Sequence, residues 1–236
     1  MKGLQCIYER AGDTSTFQNA VFKALARHKT LPAYELLKGL LVQDPPVFEN
    51  GSDYSYLFQD LRDSLKLAKT LFPDLMQLAT VDDYKFNIQS LLATLVDSGY
   101  LRSADYESYF SQLYFDARIQ WKKQEGRDEK RLQKVEDDSD EAVRGEGDDD
   151  ADAQLADYAV LLMPFYDRNG TIPHFFDKLL RSRDPALRLS TTLLMLRNGH
   201  PVADSIIYAL AATDQYRSVL LKELTDIRKS DRFPHN

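Results

Sequence analysis

Apolar side chains recur at every third or fourth position over 17–121 and 155–227, and no stretch alternates apolar with polar residues as a half-buried strand would. That pattern predicts an all-α fold. Short amphipathic helices are marginal by themselves in water, so each must lay its apolar stripe on a neighbour. The expected architecture is stacked antiparallel helix pairs, arranged as an α-solenoid or as an irregular helical bundle.

The stretch at 171–198 carries the most detailed information. Pro173 suits a first helical turn, where a missing N–H costs nothing. Phe175, Phe176, Leu179 and Leu180 form one stripe, and Ala186, Leu189, Leu193 and Leu196 form a second. Between them, Asp184 is a good N-cap and Pro185 fits the next helix's first position. Asn198-Gly199 ends the second helix with residues that tolerate left-handed geometry. The run Asp184-Pro185-Ala186-Leu187-Arg188 resembles the HEAT-like repeat, whose helix pairs open their second member with Asp-Pro-x-Val/Leu-Arg. The resemblance is best over 171–229 and weak over 16–45. It implies stacked helix pairs and a surface that binds proteins or peptides.

A second copy of the unit is expected near the start. Thr30-Leu31-Pro32-Ala33-Tyr34 matches Thr171-Ile172-Pro173-His174-Phe175, and both runs continue through Leu-Leu to Asp-Pro. Ahead of it, Leu4–Tyr8 reads equally as a strand or a helix end. Phe17, Val21, Ala24, Leu25 and His28 share one predicted face, followed by Ala33, Leu36, Leu37, Leu40 and Leu41 on the next. Tyr54, Leu57, Phe58, Leu61, Leu65, Ala68 and Phe72 predict one uninterrupted helix ended by Pro73, with a short helix to Leu78. Tyr84, Ile88, Leu91, Leu92 and Leu95 predict another, closed by Gly99. Ser103 is the expected cap of a helix burying Tyr106, Tyr109, Phe110, Leu113, Ala117 and Trp121. Residues 122–135 are charged nearly throughout and predict a solvated helical extension that frays. After a helical segment at 155–166 and the central pair, Val202, Ile206, Ile207 and Leu210 line one helix. Thr213 is the expected cap of the last, with Tyr216, Val219, Leu220, Leu224 and Ile227 inward.

Charge divides the chain. The net charge is −7, but residues 136–152 hold ten acids against one arginine, a charge of −9. Everything else is near neutral. Like charges repel, and that segment has too little apolar surface to offset chain entropy. The expected organisation is an N-terminal helical region at 1–135, an acidic flexible linker at 136–153, and a C-terminal HEAT-like region at 154–236. No basic stripe appears, which argues against nucleic acid as the main partner. No apolar run reaches membrane-spanning length. Cys6 is the sole cysteine, so neither an internal disulfide nor a cysteine-rich zinc site is available. The first residues lack the apolar core of a signal peptide. The expected location is cytoplasmic, or periplasmic and envelope-associated if the chain is a piece of a longer protein.

Motifs of chemistry are missing. His28, His174, His200 and His235 lie far apart without carboxylates at metal-ligand spacing, and no zincin, nucleophile-elbow, Walker or dinucleotide motif occurs. Asp148, Asp150 and Asp152 mimic the first three ligands of an EF-hand loop, but Ala153 stands where Gly is needed and Ala159 where Glu is needed. Asn50-Gly51-Ser52 and Asn169-Gly170-Thr171 match the glycosylation sequon and read better as turns ahead of helices. No catalytic, metal or cofactor residue is therefore assigned. Trp121 is different: it sits where apolar periodicity gives way to charge, beside Lys122 and Lys123. These three are the candidate partner-binding residues. The expected function is a non-catalytic protein–protein interaction or scaffold module. Two other readings compete with it. One is a helical accessory region of a larger bacterial envelope-associated enzyme whose active site lies outside this chain. The other is an enzyme assembled from scattered polar residues.

Overall fold

A computed structural model describes residues 2–10, 15–43, 51–80, 82–136 and 148–234. Among them the fold is all-helical, with no strand. The chain divides into two compact units, Met1–Tyr109 and Phe110–Asn236.

In the first unit the helices are α1 (Lys2–Arg10), α2 (Ser15–His28), α3 (Leu31–Gln43), α4 (Gly51–Arg62), α5 (Leu65–Ala68), α6 (Asp82–Asp97) and α7 (Ser103–Tyr106). Leu4–Tyr8 is thus helical. The ring of Tyr8 meets Phe22 edge-on at 5.5 Å. Helix α2 touches α1, α3 and α4, and α4 packs on α6. The buried face of α2 is Val21, Phe22, Leu25 and Ala26, whereas Phe17, Ala24 and His28 are exposed. The predicted face was therefore rotated. Phe22, missing from it, contributes about 1.5–3 kcal/mol by burial, more than Ala24 could, so the helix turns to bury the larger ring. In α3 the carbonyl of Thr30 accepts the N–H groups of Ala33 and Tyr34, both at 3.1 Å. Tyr34 is fully buried and its hydroxyl donates to the Ala26 carbonyl at 3.4 Å.

The uninterrupted helix expected over 54–72 is broken. Helix α4 stops at Arg62, the chain turns at Asp63-Ser64, and α5 runs on into 3-10 turns at Lys69–Leu71 and Asp74–Thr80. Leu71 is fully buried, while Leu65 and Phe72 are half-buried. A break of one residue shifts the inward face by about 100°, which a three-or-four spacing rule cannot register. Helix α6 buries Tyr84, Ile88, Leu91, Leu92 and Leu95 as expected. Gly99 closes it at φ +73°, with the Tyr100 N–H reaching back to the Leu95 carbonyl at 2.8 Å. Ser103 is not a cap: it is the first residue of α7, and the Asp105 carboxylate accepts the Arg102 N–H at 2.7 Å.

The second unit holds α8 (Phe110–Glu136), α9 (Asp148–Leu162), α10 (Thr171–Leu180), α11 (Pro185–Arg197), α12 (Asp204–Ala211) and α13 (Asp214–Asp226). Helix α8 lies along α9, and α11 touches α9, α10, α12 and α13. That central place explains why α11 buries Leu187, Leu189 and every residue from Thr191 to Leu196 rather than one stripe. Ala186, predicted inward, is exposed. The Asp184 carboxylate caps α11, and Gly199 ends it at φ +82°. Thr213 occupies the cap position of α13, but its hydroxyl donates backward to the Ala209 carbonyl at 3.4 Å. Val219 is exposed, and Tyr216, Leu220 and Leu224 are buried.

The solvated helical extension expected at 122–135 is helical as far as Glu136, and Lys122, Lys123, Glu125 and Glu129 are exposed along it. The difference from expectation is that α8 buries polar residues on its inward side, Asp116 and Gln120 before the extension and Gln124 within it. Gln112 donates to Asp116 at 3.1 Å, Gln124 to Asp128 at 3.4 Å, and the Arg127 guanidinium to Gln124 at 2.6 Å. Amides and carboxylates four residues apart satisfy one another, so burial does not require apolar side chains here. Of the acidic segment at 136–153, residues 137–147 lie outside the described residues, and 148–153 begin α9. Positions 148–159, tested above as a calcium loop, are helical backbone. The turn expected at Asn50 and the stop at Asp44-Pro45-Pro46 also fall outside the described residues.

Candidate binding groove

Helices α8 and α10 carry a shallow groove on the second unit. The stripe that sets α10 in place is Ile172, Phe175, Phe176, Leu179 and Leu180, all buried. Its start is shaped by Asn169, whose side-chain oxygen accepts the Thr171 N–H at 3.0 Å and the Thr171 hydroxyl at 2.7 Å. This is the turn expected at the second sequon. On α8, positions 114, 118, 121, 122 and 125 fall on one side at helical spacing.

Tyr114, Arg118, Trp121, Lys122 and Glu125 from α8 face His174, Phe175 and Lys178 from α10 across a shallow space of about 110 Å³. Aromatic contacts build its floor. Tyr114 meets Phe175 edge-on at 6.4 Å, and Phe175 meets Phe176 edge-on at 6.1 Å. Trp121 is buried, only 7% exposed, and its indole Nε1 has no hydrogen-bond partner. The rim is charged. The Arg118 guanidinium lies 5.9 Å from the centre of the Tyr114 ring. Lys178 Nζ is 4.0 Å from Glu125 Oε1, with both side chains about half exposed. Among the described residues neither Arg118 nor Lys122 has a carboxylate within ion-pair distance. The rim therefore carries three cationic side chains against one carboxylate in a chain of net charge −7.

Two of the three residues expected from sequence line this groove. Trp121 and Lys122 do; Lys123 is exposed and is not part of it. Sequence reasoning missed Tyr114, Arg118, Glu125, His174, Phe175 and Lys178. The α8 members could have been found by counting three and four residues from Trp121; the α10 members depend on a contact between distant helices. Within the same unit, His200 does not line the groove. His200 stacks on Tyr166 with ring centres 4.0 Å apart, 4.0 Å from Asp167 Oδ1, while His28 Nδ1 sits 3.1 Å from the Thr30 hydroxyl. His235 lies outside the described residues. Burial raises the Tyr166 hydroxyl above its usual range, with smaller contributions from Asp177 and Asp167.

Among the described residues no three His, Cys, Asp or Glu side chains come together as a metal site would require. Among the same residues no helix is long and apolar enough to cross a membrane. Comparison of the chain with protein-family models, with curated proteins and with solved structures found no match.

Proposed function

We propose that this chain is a non-catalytic interaction module, built of helix pairs of the HEAT-like kind, that takes a protein or peptide in the groove between α8 and α10. The observation that carries the reading is the groove's make-up: an aromatic floor beneath a ring of long charged side chains. Aromatic anchors at the centre of a patch with polar groups at its edge are the usual composition of protein-binding surfaces. Supporting the repeat reading, α10 and α11 are packed helices joined by a four-residue corner, and Asp184 caps the second of them. Supporting a related unit near the start, Pro32 and Pro173 both stand in the first turn of a helix, and Tyr34 and Phe175 are both buried two residues later.

The test is position-dependent crosslinking in the intact chain. A photo-crosslinking residue placed at Lys122 should yield a discrete adduct with one protein, and the same residue at Gln215, exposed on α13, should not. Equal adduct patterns at both places, or no discrete adduct at either, would remove the groove from consideration as a binding site.

A further inference from the structure

The groove's charge narrows the chemistry of its occupant. We infer that it binds a short acidic peptide segment in which carboxylates alternate with apolar side chains, an inference that rests on the interaction reading above. Three observations support this. First, Arg118 and Lys122 face the groove without a carboxylate among the described residues, while Lys178 has only Glu125 at 4.0 Å. A carboxylate-bearing partner would supply the missing counter-charges. Second, the half-buried Tyr114 ring offers its surface to an apolar side chain, over a base made by the buried Trp121 and Phe175. Third, one step further round α8 from Lys122, Phe115 and Ile119 are 58% and 39% exposed. They extend the apolar surface past the cation, so apolar and cationic features alternate across this side of the helix as they would along an extended partner.

A peptide fits this pattern better than a nucleic acid. A long polyanion must lie against much of the surface of a chain whose net charge is −7, and that repulsion acts beyond the groove. A short acidic peptide would sit within roughly one Debye length, about 8 Å at physiological salt, of the three rim cations, where local attraction outweighs the distant field. The groove also presents no continuous basic stripe: the three cations cluster around rings.

The experiment measures binding of dye-labelled probes to the whole chain by fluorescence anisotropy. The probes are a synthetic peptide alternating Glu with Phe and Leu, its Lys-for-Glu counterpart, a poly-Glu peptide and a single-stranded oligonucleotide. The Glu/Phe/Leu peptide should bind, and the Lys counterpart should not. The double substitution Arg118→Glu, Lys178→Glu should weaken that binding by roughly tenfold or more, and higher salt should weaken it further. Lys122→Glu is a second variant at an exposed position and should act in the same direction, which guards against a double variant that fails to fold. Several results would overturn the inference: no binding of the Glu/Phe/Leu peptide, binding that ignores the charge reversals, or equal binding of poly-Glu or the oligonucleotide. Self-association in sedimentation, lost on the same substitutions, would assign the groove to a second copy of the chain and would also overturn it. A discrete crosslink at Lys122 with no acidic-peptide binding would leave the interaction reading standing and remove only the acidic partner.

Discussion

The Asp184 carboxylate accepts the backbone N–H of Leu187 at 2.8 Å and so fastens the start of α11 to the corner that follows α10. The corner is reinforced from the other side, where the Ser182 hydroxyl oxygen accepts the Asp184 N–H at 3.2 Å. Both residues are buried.

Loss of this cap is measurable. Asp184→Ala should destabilise the second unit by about 1–2 kcal/mol, toward the upper end because the freed N–H is buried. Asp184→Ser, which keeps an acceptor at the cap, should recover much of the difference. The single tryptophan, Trp121, lies in the same unit and reports its urea transition directly. Equal midpoints for Asp184→Ala and the parent chain would show that the cap contributes nothing.

Three helices end in the same way, and one of them uses the wrong residue for it. Gly99, Gly199 and Arg228 all have positive φ, and the residue after each bonds back five positions: Tyr100 to Leu95, His200 to Met195, Lys229 to Leu224. A Cβ added at Gly99 or Gly199 would meet nothing within 4 Å, so the only penalty there is backbone strain. Gly199→Ala should therefore cost about 1–2 kcal/mol, and Arg228→Gly should gain up to about 1 kcal/mol. Thermal unfolding of the two variants should shift in opposite directions. A stabilising Gly199→Ala would contradict this account.

Trp121 holds a buried N–H without a partner, a cost of about 1–3 kcal/mol while it lasts. Trp121→Phe removes the orphan donor together with some packing, so its net effect should stay within about 1 kcal/mol. Trp121→Ala should cost about 3–5 kcal/mol by leaving a void. Circular dichroism in urea can follow both variants. If the phenylalanine variant proved as unstable as the alanine one, the indole N–H would have to be bonded in the native protein.

Burial raises the Tyr106 hydroxyl well above its ordinary value, and the nearby Asp105 charge adds to the shift. The folded state therefore keeps its proton where the unfolded chain, titrating near pH 10, has lost it. Stability supplied by the neutral phenol is complete below about pH 10 and declines as pH rises above it, until the folded value is reached. The first unit should lose resistance to urea progressively above about pH 10, and Tyr106→Phe should make that loss shallower. A pH dependence identical in the two proteins would exclude Tyr106 as its source.

Legibility of the fold followed the physics of each element. Some corners were readable because their signals are local: Asp184-Pro185, Asn198-Gly199 and Gly99 each behave as their side chains or backbone freedom require, whereas Ser103 and Thr213, predicted as caps by the same logic, do not cap. Helix faces were readable only approximately. Phe22 was overlooked in favour of Ala24, and the turn at Asp63-Ser64 is invisible to periodicity because the spacing resumes after it. The polar part of α8's inward face was unreadable by any count of apolar residues, since Asp116, Gln120 and Gln124 are buried there. The groove was half legible: Trp121 and Lys122 stand at a visible change in composition, but Phe175 and Lys178 arrive from a helix some fifty residues away.

Helix α11 touches four other helices and buries side chains on almost every side. No neighbour can peel off and leave it exposed on its own, because the remaining three still cover it. Its amide protons should accordingly trade with deuterated solvent only through opening of the entire second unit, at the slowest rate that unit possesses. The helix is in that sense a clock for the unit's global unfolding, whichever face a partner occupies.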